Sequence, residues 1–223
     1  MERGVRRLRF APFILLFLPA AGARATTLVF GDSHTAGTFG KELYAALKES
    51  SSGPVELRGS CGSIIHWWYT GHETVCGYLE IDSKGARTAA AKAKTPLVEP
   101  LLDSVKPSRI LVALGSNYLR GYPEATLLHD VKQLLRSIAE TKAPCFWIGP
   151  PDMRKFRKDL PAFVPGLEAL VKPACTFIDS RALTRYPDSG GDGIHYESAE
   201  LRPLARSWAK EVAKTVAGPR PVR

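Results

Sequence analysis

Three short segments of the chain concentrate residues able to move an acyl group. Gly31-Asp32-Ser33-His34 offers a hydroxyl, Gly115-Ser116-Asn117 a side-chain amide, and Asp192-Gly193-Ile194-His195 a carboxylate and an imidazole three residues apart. A serine hydroxyl is a poor nucleophile until a base removes its proton, and an imidazole held by a carboxylate is the usual base. Ser33 is therefore the candidate nucleophile, with His195 as base and Asp192 as its acid. Charge that builds on a carbonyl oxygen needs fixed donors, each worth about 10²–10³ in rate. Asn117 can supply an NH2 and Ser33 its own backbone amide. The stretch Gly59-Ser60-Cys61-Gly62 can supply a glycine amide, since a missing side chain lets backbone approach a ligand closely.

Such groups need a frame. Strand-like apolar runs at 27–30, 55–58, 110–114, 145–149 and 175–179 alternate with stretches of helical spacing. Phe39, Leu43 and Leu47 mark one helix, and 96–105, opening on Pro96, marks a second. The clearest helix covers 123–141, where Leu127, Leu128, Val131, Leu134, Leu135 and Ile138 share a face. Phe163, Leu167, Leu170 and Val171 mark another, and Leu201, Leu204, Ala205, Trp208 and Val212 the last. The alternation predicts an α/β fold, a three-layer α/β/α sandwich around a five-stranded parallel sheet. A strand apolar throughout, such as 110–114, suits burial on both faces. Segment 59–95 shows no clear periodicity apart from its alanine-rich part, 86–93. Ligands of open parallel sheets bind at the carboxyl ends of the strands, which is where all three segments fall. One rim should therefore gather them.

The chain has 223 residues and a formal charge of +9. Arg3, Arg6, Arg7 and Arg9 precede an apolar stretch from 10 to 21, and Ala23-Arg24-Ala25 has the small-x-small cleavage pattern. Residues 1–25 thus read as a secretory signal peptide cut after Ala25, placing the product outside the cell or in the periplasm. The Arg6-Arg7 pair also permits a twin-arginine route. The apolar stretch is short for a membrane span, which needs about 20 residues, so any membrane attachment would rest on an uncleaved signal. These 25 residues carry five arginines and one glutamate, so without them the charge is +5. That mild excess is compatible with an anionic polymer, while the absence of a basic run interleaved with aromatics argues against nucleic acid. Residues 26–217 suffice for a single domain, and the proline- and arginine-rich 218–223 reads as a frayed tail. Four cysteines in an exported chain suggest two disulfides, with three possible connectivities. Cys145 and Cys175 each begin a strand, so parallel neighbours would join them and leave Cys61 with Cys76. The alternative of zinc on Cys61, Cys76, His66 and His72 is disfavoured by an oxidising destination, and no metal is expected.

In order and spacing, these segments resemble the blocks of the SGNH hydrolases, the broad group of GDSL esterases and lipases. Gly-Asp-Ser-His resembles the first block, Gly59 to Gly62 holds the place of the second, and Gly115-Ser116-Asn117 and Asp192-Gly193-Ile194-His195 resemble the third and fourth. The resemblance implies a flavodoxin-like sheet, an acyl-enzyme on Ser33, and an oxyanion hole of Ser33, Gly62 (or Gly59) and Asn117. It also prefers Asp192 over Asp152, Asp179 and Asp188 as the acid, and it implies no cofactor. His34 stands where the family commonly has leucine, and Tyr118 where many members have aspartate. Both are candidate substrate contacts, as are Trp67 and Trp68, whose loop could wall a sugar ring or an acyl group. The expected substrate is an acyl, chiefly acetyl, ester of a carbohydrate or envelope polysaccharide. Lipase or thioesterase action on small acyl esters, and O-acetyl transfer through the same triad, are the alternatives. Oligomeric state is left open.

Overall fold

The apolar runs become strands because their residues are buried on two faces at once. In the first, alternate side chains diverge: Val29 joins one helical layer, Leu28 and Phe30 the other. A computed structural model describes residues 25–50 and 53–218. Apart from Ala25 and Gly218, the expected signal peptide and tail lie outside the described residues. In chain order the elements are β1 (Thr27–Gly31), α1 (Ser33–Ala36), α2 (Thr38–Ser50), β2 (Val55–Ser60), α3 (Trp67–Thr70), β3 (Glu73–Thr74), β4 (Tyr78–Ile81), β5 (Arg87–Ala90) and β6 (Ala93–Lys94). There follow α4 (Val98–Val105), β7 (Arg109–Ala113), α5 (Glu124–Glu140), β8 (Cys145–Ile148), α6 (Leu160–Val171), β9 (Thr176–Ile178) and α7 (Arg202–Ala217).

The main sheet runs β5-β4-β2-β1-β7-β8-β9. From β2 to β9 its strands are parallel, in the positions expected from the sequence. Helices α2 and α7 cover one face, where Phe39 stacks on Trp208 with ring centroids 3.5 Å apart. Val98, Val131, Leu134, Ile138, Leu167 and Val171, from α4, α5 and α6, cover the other. The result is the expected three-layer α/β/α arrangement.

The sheet has seven strands rather than five. The additional pair, β4 and β5, is antiparallel and comes from the segment that showed no periodicity. Alanine is the strongest helix former, so 86–93 carries no local strand signal. The turn makes the hairpin: Asp82 Oδ1 accepts from the amides of Lys84 and Ala86 at 2.9 and 2.8 Å, and Gly85 takes a φ of +88°. Strands β3 and β6 form a separate small sheet.

Both expected disulfides are present. Cys145 opens β8 and Cys175 directly precedes β9; because Phe146 pairs with Thr176, the two alpha carbons lie 4.5 Å apart. Cys61 and Cys76 close a loop at 5.5 Å, so their sulfurs are committed to each other rather than to a metal. Among the described residues no helix is long and apolar enough to cross a membrane.

Candidate active site

The position of Ser33, the candidate nucleophile, follows from the end of β1. The Asp32 amide donates to Ala113 O on β7 at 3.1 Å, which ends the strand at the rim. Asp32 Oδ1 then accepts from the His34 amide at 3.0 Å and caps α1, whose first residue is Ser33. Gly31 is required by crowding: a Cβ there would lie 2.4 Å from the carbonyl oxygen of Ala113. Burial pushes the Asp32 carboxyl up to about 6 against the stabilising His34 amide, so Asp32 is a capping group held inside the fold.

The candidate base and acid, His195 and Asp192, sit on one tight turn. Asp192 Oδ1 accepts from the amides of Ile194 and His195 at 2.8 and 2.7 Å, while Oδ2 lies 2.6 Å from His195 Nδ1. Burial pushes this carboxyl upward, but those amides and the imidazole outweigh it and hold Asp192 well below the usual carboxylate range. With Nδ1 turned to a carboxylate, Nε2 is left as acceptor, and it lies 2.9 Å from Ser33 Oγ. The competing acids are engaged elsewhere: Asp152 and Asp188 with Arg157, Asp179 with Arg181. The structure thus brings Ser33, His195 and Asp192 into one hydrogen-bonded line.

Gly62 lies beyond β2 at a φ of +77°, and among the described residues no protein acceptor takes the amides of Ser33 or Gly62. Gly59 is different. It sits within β2, where a Cβ would meet the Ala36 amide nitrogen at 2.3 Å, so its missing side chain serves helix packing. Asn117 is buried, and its Nδ2 donates one proton to Ser63 O at 3.0 Å, leaving the second without an acceptor among the described residues.

Three expected substrate contacts are buried instead. Trp68 packs on Phe30 at 5.0 Å and donates to Ser63 Oγ. The Tyr118 hydroxyl donates to Asp130 at 2.5 Å and accepts from the Ile65 amide. His34 lies between His195 and Trp208, with ring centroids 5.5 and 5.7 Å away, and burial lowers its pKa to about 3. Aromatic residues in apolar sequence belong to a core more readily than to a binding wall. Trp67 is only partly buried, packs on His72, and comes within 3.7 Å of a Cβ built on Gly62.

Two residues missed in the sequence brace the surroundings of the Asp192–His195 turn. The buried Tyr186 hydroxyl accepts from the Gly193 amide at 3.0 Å and lies 3.4 Å from Asp192 Oδ1 and 3.3 Å from His195 O. Glu197 reaches α2, where its two oxygens take the amide and hydroxyl of Thr38 at 2.8 and 2.7 Å. Neither contact has a sequence signal, because each joins segments that only the fold brings together.

Beside Ser33 opens a cleft of about 330 Å³, lined by Gly37, Lys41, the Cys61–Cys76 bridge, Gly77, Tyr78, His195 and Glu197. It has no leucine, isoleucine, valine or phenylalanine wall. A hollow of about 360 Å³ between α4 and α5 contains none of the catalytic candidates.

No protein-family model and no curated protein matches the chain. Solved structures do resemble it. TesA superposes with a TM-score of 0.58 at 16% identity, over 86% of this chain and 99% of that one. A peptidoglycan O-acetylesterase does so at 0.58 and 12% identity, over 88% and 91%. A GDSL-like lipase from Bacteroides thetaiotaomicron does so at 0.55 and 11%, over 86% and 88%. At these identities the likeness is one of fold, and the fold is that of GDSL-type hydrolases.

Proposed function

We propose that this chain is an exported SGNH-type serine esterase that removes short acyl groups, foremost acetyl, from a carbohydrate. The unbroken line from Ser33 Oγ through His195 to Asp192, at 2.9 and 2.6 Å, carries this reading. His195 Nε2 takes the Ser33 proton as Oγ attacks the ester carbonyl, then returns it to the departing alcohol. A water deprotonated by the same nitrogen then releases the acyl group and frees Ser33. Asp192 fixes the tautomer and balances the imidazolium. The amides of Ser33 and Gly62, with the second proton of Asn117, are the donors proposed for the oxyanion.

The cleft supports a short acyl group. Long chains are bound by burying CH2 groups at about 0.8 kcal/mol each, and the lining beside Ser33 has no aliphatic wall for them. The carbohydrate assignment is supported by the two disulfides, which suit an oxidising compartment, and by the likeness in fold to a peptidoglycan O-acetylesterase. The test compares p-nitrophenyl acetate with p-nitrophenyl palmitate, using the chain from residue 26 onward and its Ser33→Ala variant. The acetate should be cleaved at least ~10-fold better in kcat/KM, and Ser33→Ala should lose ~10³-fold or more. Equal turnover by both proteins would refute the esterase reading; better cleavage of the palmitate would refute the short-acyl reading alone.

A further inference from the structure

The sheet edge that leads to the cleft carries cations that form no ion pair among the described residues. β5 is antiparallel to β4, which is antiparallel to β2, so β5 runs with the parallel strands and ends at the same rim as Ser33. Tyr78, a cleft residue, pairs with Ala90 at that end. Beyond Ala90 the chain continues through Lys92 to β6, which pairs with β3. There Thr74 donates to Cys61 O in the cleft wall at 2.7 Å. The outermost ribbon, 84–94, therefore climbs the sheet edge from the Asp82 turn, at the far end of the strands, and its last residues come beside the cleft wall.

Lys84, Arg87, Lys92 and Lys94 lie on this ribbon, all exposed, with no acidic residue between positions 83 and 98. None forms an ion pair among the described residues; Glu73, opposite Lys94 in register, is not within pairing distance. Lys41, inside the cleft, likewise forms no ion pair among the described residues, and Glu197 of the same lining is bonded to Thr38. By contrast, Arg58, Arg157, Arg181 and Arg206 each have a carboxylate partner. The spacers along the ribbon are chiefly alanines, Ala86, Ala89, Ala90, Ala91 and Ala93, which let an extended polymer lie close.

We infer that the ester substrate is carried on an acidic polysaccharide, which the ribbon 84–94 and Lys41 hold alongside Ser33. This rests on the esterase reading and adds the charge of the carrier. Nucleic acid would call for aromatic platforms between the cations, and the ribbon has none. A lipid surface would call for apolar side chains to insert, and the ribbon offers only alanines. Charge attraction at exposed lysines and arginines supplies both affinity and a steep dependence on salt.

The test uses the variant Lys84→Ser/Arg87→Thr/Lys92→Thr/Lys94→Thr, whose positions are all exposed. Acetate release is followed from O-acetylated polygalacturonate, from O-acetylated neutral xylan and from p-nitrophenyl acetate. The wild type should favour the polyuronate, and the variant should lose about 10-fold or more in kcat/KM on it, mainly through KM. Xylan and p-nitrophenyl acetate should be cleaved as before, and 0.5 M salt should erase the wild-type preference. Equal action of both proteins on the polyuronate, or a wild-type preference for xylan, would overturn the inference. So would retention on anionic phospholipid vesicles without retention on immobilised polygalacturonate. Should p-nitrophenyl acetate fail to distinguish wild type from Ser33→Ala, the esterase reading falls. The retention measurement still decides whether the ribbon binds polyuronate.

Discussion

His34 adjoins Ser33, the proposed nucleophile, but its ring is buried behind His195 and makes no hydrogen bond through Nε2 among the described residues. Its neutrality has a consequence for stability. Between pH 6.5 and about 3 the unfolded chain binds a proton at His34 that the folded chain refuses. This group's contribution is therefore complete above pH 6.5 and is lost on acidification. Asp32 acts in the opposite sense: its folded carboxyl keeps a proton up to about pH 6, against 3.8 unfolded. Its contribution is complete below 3.8 and is lost as pH rises to about 6. From pH 4 to 6 the two offset each other. Relative to wild type, His34→Leu should lose stability as pH rises through this window and Asp32→Asn should gain it, each by at most about 1.4 kcal/mol per pH unit. Urea unfolding at pH 4, 5 and 6 measures both slopes, and parallel curves for all three proteins would contradict the assignment. Tyr186→Phe removes the acceptor of Gly193 N–H and a partner of the turn that carries the proposed base and acid. A fall of about 10-fold in kcat with little change in KM is expected from steady-state kinetics on p-nitrophenyl acetate. Ser33, Asp192 and His195, which the structure brings into one hydrogen-bonded line, stood out in the sequence because the chemistry proposed for them resides in their own atoms. Tyr186 was not, because it acts by a contact across the fold, and Trp68 and Tyr118 misled because a core and a binding wall use the same aromatic residues.

Among the elements, the parallel strands were legible from their own composition. Burial on both faces demands continuous apolar residues, and β1 and β7 have them. The β4–β5 hairpin was not, since its outer strand is exposed at all four positions and its conformation is imposed by the Asp82 turn and pairing to Ile81. The buried Cys145–Cys175 bridge ties β8 to β9, with 30 residues of separation. Replacing both cysteines by alanine should cost about 3–4 kcal/mol by the loop-entropy relation while leaving kcat on p-nitrophenyl acetate within about twofold. Denaturant unfolding and steady-state kinetics check the two halves separately. Gly31→Ala should be far worse than an ordinary surface change, because the nearest atoms include a backbone oxygen of β7 that cannot swing aside. Loss of cooperative unfolding or of soluble protein is the expected outcome.

At the scale of the whole molecule, the two disulfides divide the labour between stability and access. One lies in the core between strands; the other spans the mouth of the cleft, with Cys76 exposed and its sulfur 3.5 Å from a Cβ built on Gly62. Mild thiol treatment should reach the exposed bridge first. Dithiothreitol should lower kcat on p-nitrophenyl acetate several-fold while far-ultraviolet circular dichroism stays constant, and activity should return on reoxidation. Undiminished turnover after Cys61 and Cys76 are shown by mass spectrometry to be alkylated would count against this expectation. If it holds, the wall of the cleft answers to the redox poise of its surroundings: a reducing medium leaves it slack, and an oxidising one sets it.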